Sequence, residues 1–208
     1  MFTESSTVES FLRDLLSGGP GTHTAVGPGL ARRRGKLAGL GWHHLPSAQL
    51  PRQLHEVLVE AWVREAMIRL NPEIAAVPDR ADEVLYRLRA IILSVRSDGL
   101  IKANEEMTAW LRGDRSMPFG PNHEHTTVRL IDFEDQANNQ YVVTNQFIFR
   151  AGRAERRADL VLLVNGFPLV VIEAKTPVRQ AVSWFDAATQ LHDDYEVNVP
   201  ELFVANVF

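Results

Sequence analysis

This chain of 208 residues sets 22 Lys and Arg against 26 Asp and Glu, a formal charge of −4, so no overall basic surface draws it to nucleic acid or an anionic membrane. It has no cysteine, which excludes a disulfide framework and a thiolate metal site, and no apolar run approaches membrane-spanning length. The start M-F-T-E-S-S-T lacks a basic segment followed by an apolar stretch, so no signal peptide is suggested and the expected compartment is the cytoplasm.

Thr7 or a nearby serine can cap a first helix with Val8, Phe11, Leu12, Leu15 and Leu16 on one side. Residues 18–29, rich in Gly and Pro, read as a loop. The run Arg32-Arg33-Arg34-Gly35-Lys36 is either a phosphate-contacting loop or a solvated one. Residues 49–70 read as a long helix stopped by Asn71-Pro72. Val84, Leu85, Leu88, Ile91, Ile92 and Val95 make 80–95 the cleanest amphipathic helix. A short helix at 105–111 precedes the turn-rich M-P-F-G-P-N, and 128–133 and 141–149 read as strands. Beyond the hairpin described next, a helix is expected over 183–194, with Thr189 or Gln190 on the side facing that hairpin, and a strand over 202–208. His43-His44 and His123/His125 lack zinc spacing with further ligands, so they read as surface histidines or as residues standing behind a site. The four tryptophans, Trp42, Trp62, Trp110 and Trp184, read as core or interface residues.

The most informative segment is R-A-D-L-V-L-L-V-N-G-F-P-L-V-V-I-E-A-K. Two Leu/Val/Ile runs, 160–164 and 169–172, flank Asn165-Gly166, a strong hairpin signal. Alternation puts Glu173 and Lys175 on one face. A plain two-residue turn would pair Val164 with Phe167, set Asp159 opposite Ile172, and turn Asp159 away from Glu173. An odd-length loop or a bulge restores the parity, with Pro168 where no ladder N–H is needed. Both faces are otherwise apolar, as in strands from the middle of a covered sheet.

Charged groups in so apolar a setting are costly to bury without a compensating partner. Asp, then Glu-x-Lys on the next strand, is how a nuclease holds a divalent cation over a phosphodiester. Asp159 and Glu173 offer the hard oxygens that Mg²⁺ takes. Lys175 would orient or help deprotonate the attacking water, or stabilise the charged transition state. The competing reading is a structural Asp/Glu–Lys ion pair. Arg150, Arg153, Arg156 and Arg157 gather just before Asp159, where a scissile backbone would lie, so Arg153, Arg156 and Arg157 are candidate DNA contacts.

The string D-L-V-L-L-V-N-G-F-P-L-V-V-I-E-A-K-T-P resembles the nuclease core of the restriction subunit of type I restriction–modification enzymes, a branch of the PD-(D/E)XK nuclease superfamily. The likeness extends upstream through 138–147 and downstream through 200–208, and V-N-G-x-P-L-V-V-I-E-x-K makes it specific. It implies catalytic roles for Asp159, Glu173 and Lys175, with Ala158 standing where the family has Pro. It also implies a role for Gln190 from a Gln-x-x-x-Tyr motif. Tyr195 sits one residue too far for that motif, which leaves its role open. Glu9 matches a first-helix glutamate that joins the metal site. The implied fold is α/β: a PD-(D/E)XK core with a mixed central sheet flanked by helices, in element order α-β-β-β-α-β. It forms one nuclease domain over 1–208 with a helical insertion at 49–112.

By the same resemblance the activity is a type I site-specific deoxyribonuclease, an endonuclease using Mg²⁺ and preceding a larger ATP-driven translocase. No G-x-x-x-x-G-K-[ST] motif occurs here, so ATP belongs to the full-length subunit. The chain, ending at Phe208 in a strand-like run, is expected to be an N-terminal piece that binds DNA weakly and cleaves poorly alone. Expected partners are double-stranded DNA and the specificity and methylation subunits. Two rivals are a free-standing Mg²⁺ nuclease of repair or defence, and a non-catalytic DNA-binding or docking domain.

Overall fold

The computed structural model describes residues 8–18, 39–175 and 184–206; Thr7, most of the 18–29 loop, the 32–36 basic run and Ser183 lie outside them. In chain order, α1 (Ser10–Ser17) and β1 (His43–His44) lead into α2 (Glu60–Leu70), α3 (Pro72–Ala76), α4 (Arg80–Asp98) and α5 (Leu100–Leu111). The short ribbon β2 (Ser116–Met117) and β3 (Thr126–Thr127) precedes three long strands, β4 (Tyr141–Ala151), β5 (Ala154–Val164) and β6 (Phe167–Ile172). After them come α6 (Trp184–Thr189), a π-helical turn (Gln190–Tyr195), α7 (Glu196–Asn198) and a 3₁₀ turn (Pro200–Phe203).

The sheet runs β1-β4-β5-β6, with β1 parallel to β4 and the other pairs antiparallel, so it is mixed as expected. Phe147, Phe149, Leu163 and Phe167 from the sheet join Leu58, Met67, Leu88, Met107 and Leu202 in one apolar cluster. β5 is covered on both sides: Leu160, Val161, Leu163 and Val164 are all buried. β6, expected mid-sheet, is an edge among the described residues, and Val170 is exposed. Pro168, which lacks a donor, is at home on an edge strand.

α4 follows its predicted stripe and runs on to Gly99, whose φ of 88° ends it. Of the long helix predicted over 49–70 only the second half forms, as α2, ended at Asn71 as expected; a 3₁₀ turn (Ser47–Gln49) and an irregular segment stand in place of the first half. Pro51 cannot donate into a helix. Val57, Leu58 and Val59 are buried, and Val59 N–H donates to Gly166 O at 2.9 Å, so this segment packs against the hairpin turn instead. Arg52 fastens it by donating to Glu56 O and Ile148 O, with its guanidinium over the Phe147 ring. The short helix expected at 105–111 begins earlier, at Leu100.

Two predicted strands are absent. Val128, Leu130 and Ile131 are buried, but beyond the bond from Val128 N–H to Arg115 O, side-chain amides rather than a ladder hold that backbone. Asn71 bonds both the N–H and the C=O of Arg129, Asn139 does the same for Asp132, and Asn165 donates to Leu130 O. At 202–206, Pro200 opens a 3₁₀ turn that buries Leu202, Phe203 and Val204; residues 207–208 are not described. Of the tryptophans, Trp110 is buried, Trp42 and Trp62 pack on the core, and Trp184 is exposed.

Asn165 ties these parts together. It is fully buried, turns the chain at φ 49°, donates to Leu130 O and accepts from Gln140 N–H at 2.8 Å. Asn165→Ala leaves both backbone groups without that partner and puts alanine in a left-handed conformation. It should lower stability by about 3 kcal/mol in urea denaturation.

Candidate active site

The β5–β6 hairpin decides which charges meet. Asn165 and Gly166, at φ 49° and 89°, form a two-residue turn pairing Val164 with Phe167 and Leu163 with Pro168. The register then shifts: Leu162 pairs with Val170 and Leu160 with Ile172, leaving Leu169 as the extra residue. One further step of the same register sets Asp159 opposite Glu173, so the bulge supplies the parity that the turn alone denies. Asp159 Oδ2 accepts the Ala174 N–H at 2.8 Å, which fixes the carboxylate across the strand end.

Burial first, and then the charge of Asp159, push the Glu173 carboxyl up to about 7; the two carboxyls are close enough to share a proton. Glu173 Oε1 is buried with no hydrogen-bond partner. An orphaned carboxylate oxygen beside a second carboxylate fits a hard divalent cation, which would relieve both the repulsion and the lost solvation. No group of three His, Asp or Glu residues able to hold a metal occurs among the described residues. Mg²⁺ does not require one, since it leans on one or two carboxylates and keeps several waters.

Lys175 has no ion pair with either carboxylate among the described residues. Its Nζ donates to Gln190 Oε1 at 2.6 Å, which speaks against a mere structural ion pair. Gln190 Nε2 in turn donates to the Tyr195 hydroxyl at 3.1 Å, and that hydroxyl donates to Arg157 O at 2.9 Å. Burial and the charge of Glu173 raise the Tyr195 phenol above its ordinary value, so it stays protonated. The spacing that leaves Tyr195 one residue too far is absorbed by the π-helical turn, which differs from the plain helix expected at 183–194.

Glu9, at the start of α1, is buried; Gln146 Nε2 donates to its Oε2 at 2.9 Å and the Asn145 side chain also bonds it. Burial lifts its carboxyl above the ordinary value, Asn145 opposes this, and the charge of Asp159 adds to it. The buried residues here are Glu9, just before α1, and Asp14 within it, while Phe11 of the expected apolar stripe is exposed. Arg156 is engaged by Asp194, Nε to Oδ2 at 2.8 Å, and Arg150 by Glu155, whereas Arg153 and Arg157 are exposed. His44, Asn145 and Gln146 were not singled out as site residues in the sequence. Gln146 carries no signal there, because glutamine has no preference for the left-handed φ of 55° it adopts.

The sequence matches the family described as "Type I restriction enzyme R protein N terminus" over residues 35–208. The chain belongs to this family. It is 32% identical over 187 residues to the "Type I restriction enzyme HindI endonuclease subunit" of Haemophilus influenzae, covering 82% of this chain and 17% of that protein. It is 34% identical over 96 residues to the "Putative type I restriction enzyme MjaIXP endonuclease subunit" of Methanocaldococcus jannaschii, covering 42% of this chain and 9% of that protein. The chain therefore spans about a sixth of the HindI subunit's length. No solved structure matches it significantly. No described helix is long and apolar enough to cross a membrane.

Proposed function

We propose that this chain is the Mg²⁺-dependent DNA endonuclease portion of a type I restriction R subunit, with a PD-(D/E)XK active site. The observation that carries the reading is the bulge at Leu169, which turns Asp159 and Glu173 to one face while Lys175 is tied to Gln190. Asp159 and Glu173 would hold the cation, with Glu9 a further carboxylate facing Asp159. When bound, the cation acidifies water and neutralises charge on the phosphate oxygens. Lys175, with one donor on Gln190, has two left to orient the attacking water and to meet charge developing on a phosphate oxygen. Tyr195 fixes Gln190, and through it the ammonium. The exposed Arg157, two residues before Asp159 on β5, suits a phosphate contact, as does the exposed Arg153 in the β4–β5 turn farther along the strand, and Arg156 if it exchanges Asp194 for the backbone.

In this reading ATP-driven translocation is performed outside this chain, and the substrate is double-stranded DNA in the cytoplasm. Site choice and methylation belong to partner subunits of a restriction–modification complex. The 1–208 span acts as one nuclease domain with residues 49–112 as its helical insertion. Calorimetric titration with Mg²⁺ tests the site. The chain should bind the ion, and Asp159→Ala should abolish binding without unfolding; binding that survives the substitution points to a non-catalytic domain.

A further inference from the structure

Consecutive residues on a strand point to opposite faces, yet the side chains of Asn145 and Gln146 both reach the Glu9 carboxylate. The backbone explains this. Gln146 lies inside β4 with φ 55°, one of four non-glycine residues of positive φ among the described residues. The left-handed turn breaks the alternation and aims two successive amides at one acceptor. Such a conformation in a glutamine costs on the order of 1–3 kcal/mol and persists only when its surroundings impose it.

The break falls opposite the proposed metal site. The β4–β5 register runs Asn145 to Leu160 and resumes at Phe147 to Ala158, so the rung left out is Gln146 facing Asp159. His44, on the adjacent parallel strand β1, approaches Asn145 Oδ1 with Nε2 at 3.0 Å. A histidine N–H donating there occupies the amide oxygen and leaves the Asn145 NH₂ for Glu9. The order His44, Asn145, Glu9, with Gln146 as a second donor, ends on a carboxylate that feels the charge of Asp159.

We infer that Gln146, held in its left-handed conformation and seconded by the His44–Asn145 pair, is a positioning residue that clamps Glu9 beside Asp159 as an outer carboxylate of the cation site. This rests on the proposed metal reading. It adds that Gln146 acts only through Glu9. In this role the amide NH₂ groups serve the carboxylate. They fix the rotamer of a carboxylate that burial and a like charge would otherwise push aside, as outer hydrogen bonds fix ligands in metal sites generally.

The test is Mn²⁺ binding to the full chain, followed by calorimetry and the spin signal of free Mn²⁺. Gln146→Gly is the informative variant: glycine takes φ 55° without strain, so the fold is kept and only the amide is lost. It should weaken Mn²⁺ binding about tenfold with no fall in melting temperature. Glu9→Gln should do the same, and the Glu9→Gln/Gln146→Gly double variant should be no worse than Glu9→Gln alone. Unchanged affinity in Gln146→Gly, or additive losses in the double variant, overturns the clamp while leaving the Asp159–Glu173 site intact. Asp159→Ala serves as the separate control: Mn²⁺ binding retained there overturns the metal reading itself and the clamp with it.

Discussion

Replacing Lys175 by alanine is expected to slow DNA cleavage by about 10³-fold at saturating Mg²⁺, the loss typical of removing a group that acts in the transition state. Metal affinity should stay close to that of the unaltered chain. The two halves follow from the same contact. Lys175 forms no ion pair with either carboxylate among the described residues and acts on Glu173 only through its charge; its ammonium is held by Gln190 Oε1 at 2.6 Å. Removing it therefore strands no buried counter-charge, and the several kcal/mol lost when a buried ion pair is broken should not appear in the melting curve. Lys175→Arg should not rescue cleavage, because a planar fork cannot occupy the position of a compact ammonium. Gln190→Ala, which keeps the charge and loses its tether, should lose about tenfold, nearer the cost of misplacement than of removal. Single-turnover plasmid cleavage beside Mg²⁺ calorimetry separates these results. Parallel collapse of metal binding and folding in Lys175→Ala would mean that the lysine is a structural prop.

The hairpin was legible because strand arithmetic allows few solutions. Asn165-Gly166 sets the turn, and two carboxylates that must meet then demand one extra residue, which the fold supplies at Leu169. α4 was legible because six apolar residues repeat at helical spacing and Gly99 ends the helix. The failures share a cause: partners distant in sequence. Residues 128–133 alternate like a strand, but Asn71, Asn139 and Asn165 take their backbone groups. Residues 49–59 have helix-like apolar spacing, but Pro51 and the bond from Val59 to Gly166 draw them to the hairpin. β1 is only two residues long and leaves no periodic trace. At the site, the string around Asp159, Glu173 and Lys175 was visible. The engagement of Arg156 by Asp194, 38 residues on, was not, nor was the left-handed backbone of Gln146.

The extra residue between Gln190 and Tyr195 was visible as well, and its meaning is testable by changing the length. In an α-helix, residues four apart differ by about 40° around the axis and residues five apart by about 140°. Tyr195 would then face away from Gln190. Here the turn Gln190–Tyr195 is π-helical, and Gln190 Nε2 lies 3.1 Å from the Tyr195 hydroxyl. Deleting exposed His192, whose side chain bonds Glu196, should let the turn relax to an α-helix with the pair four apart and still in contact. Cleavage should then stay near its starting rate. Inserting one alanine after His192 has no such outlet. It should swing Tyr195 off Gln190, release Lys175, and reduce cleavage by about 10²-fold, the penalty expected of a small displacement at a reacting centre. The comparison isolates geometry from composition, because neither variant removes Gln190, Tyr195 or Lys175. If the shortened chain lost as much activity as the lengthened one, the π turn would carry a role beyond bridging the pair. If neither changed, Tyr195 would have no part in holding Gln190 during catalysis.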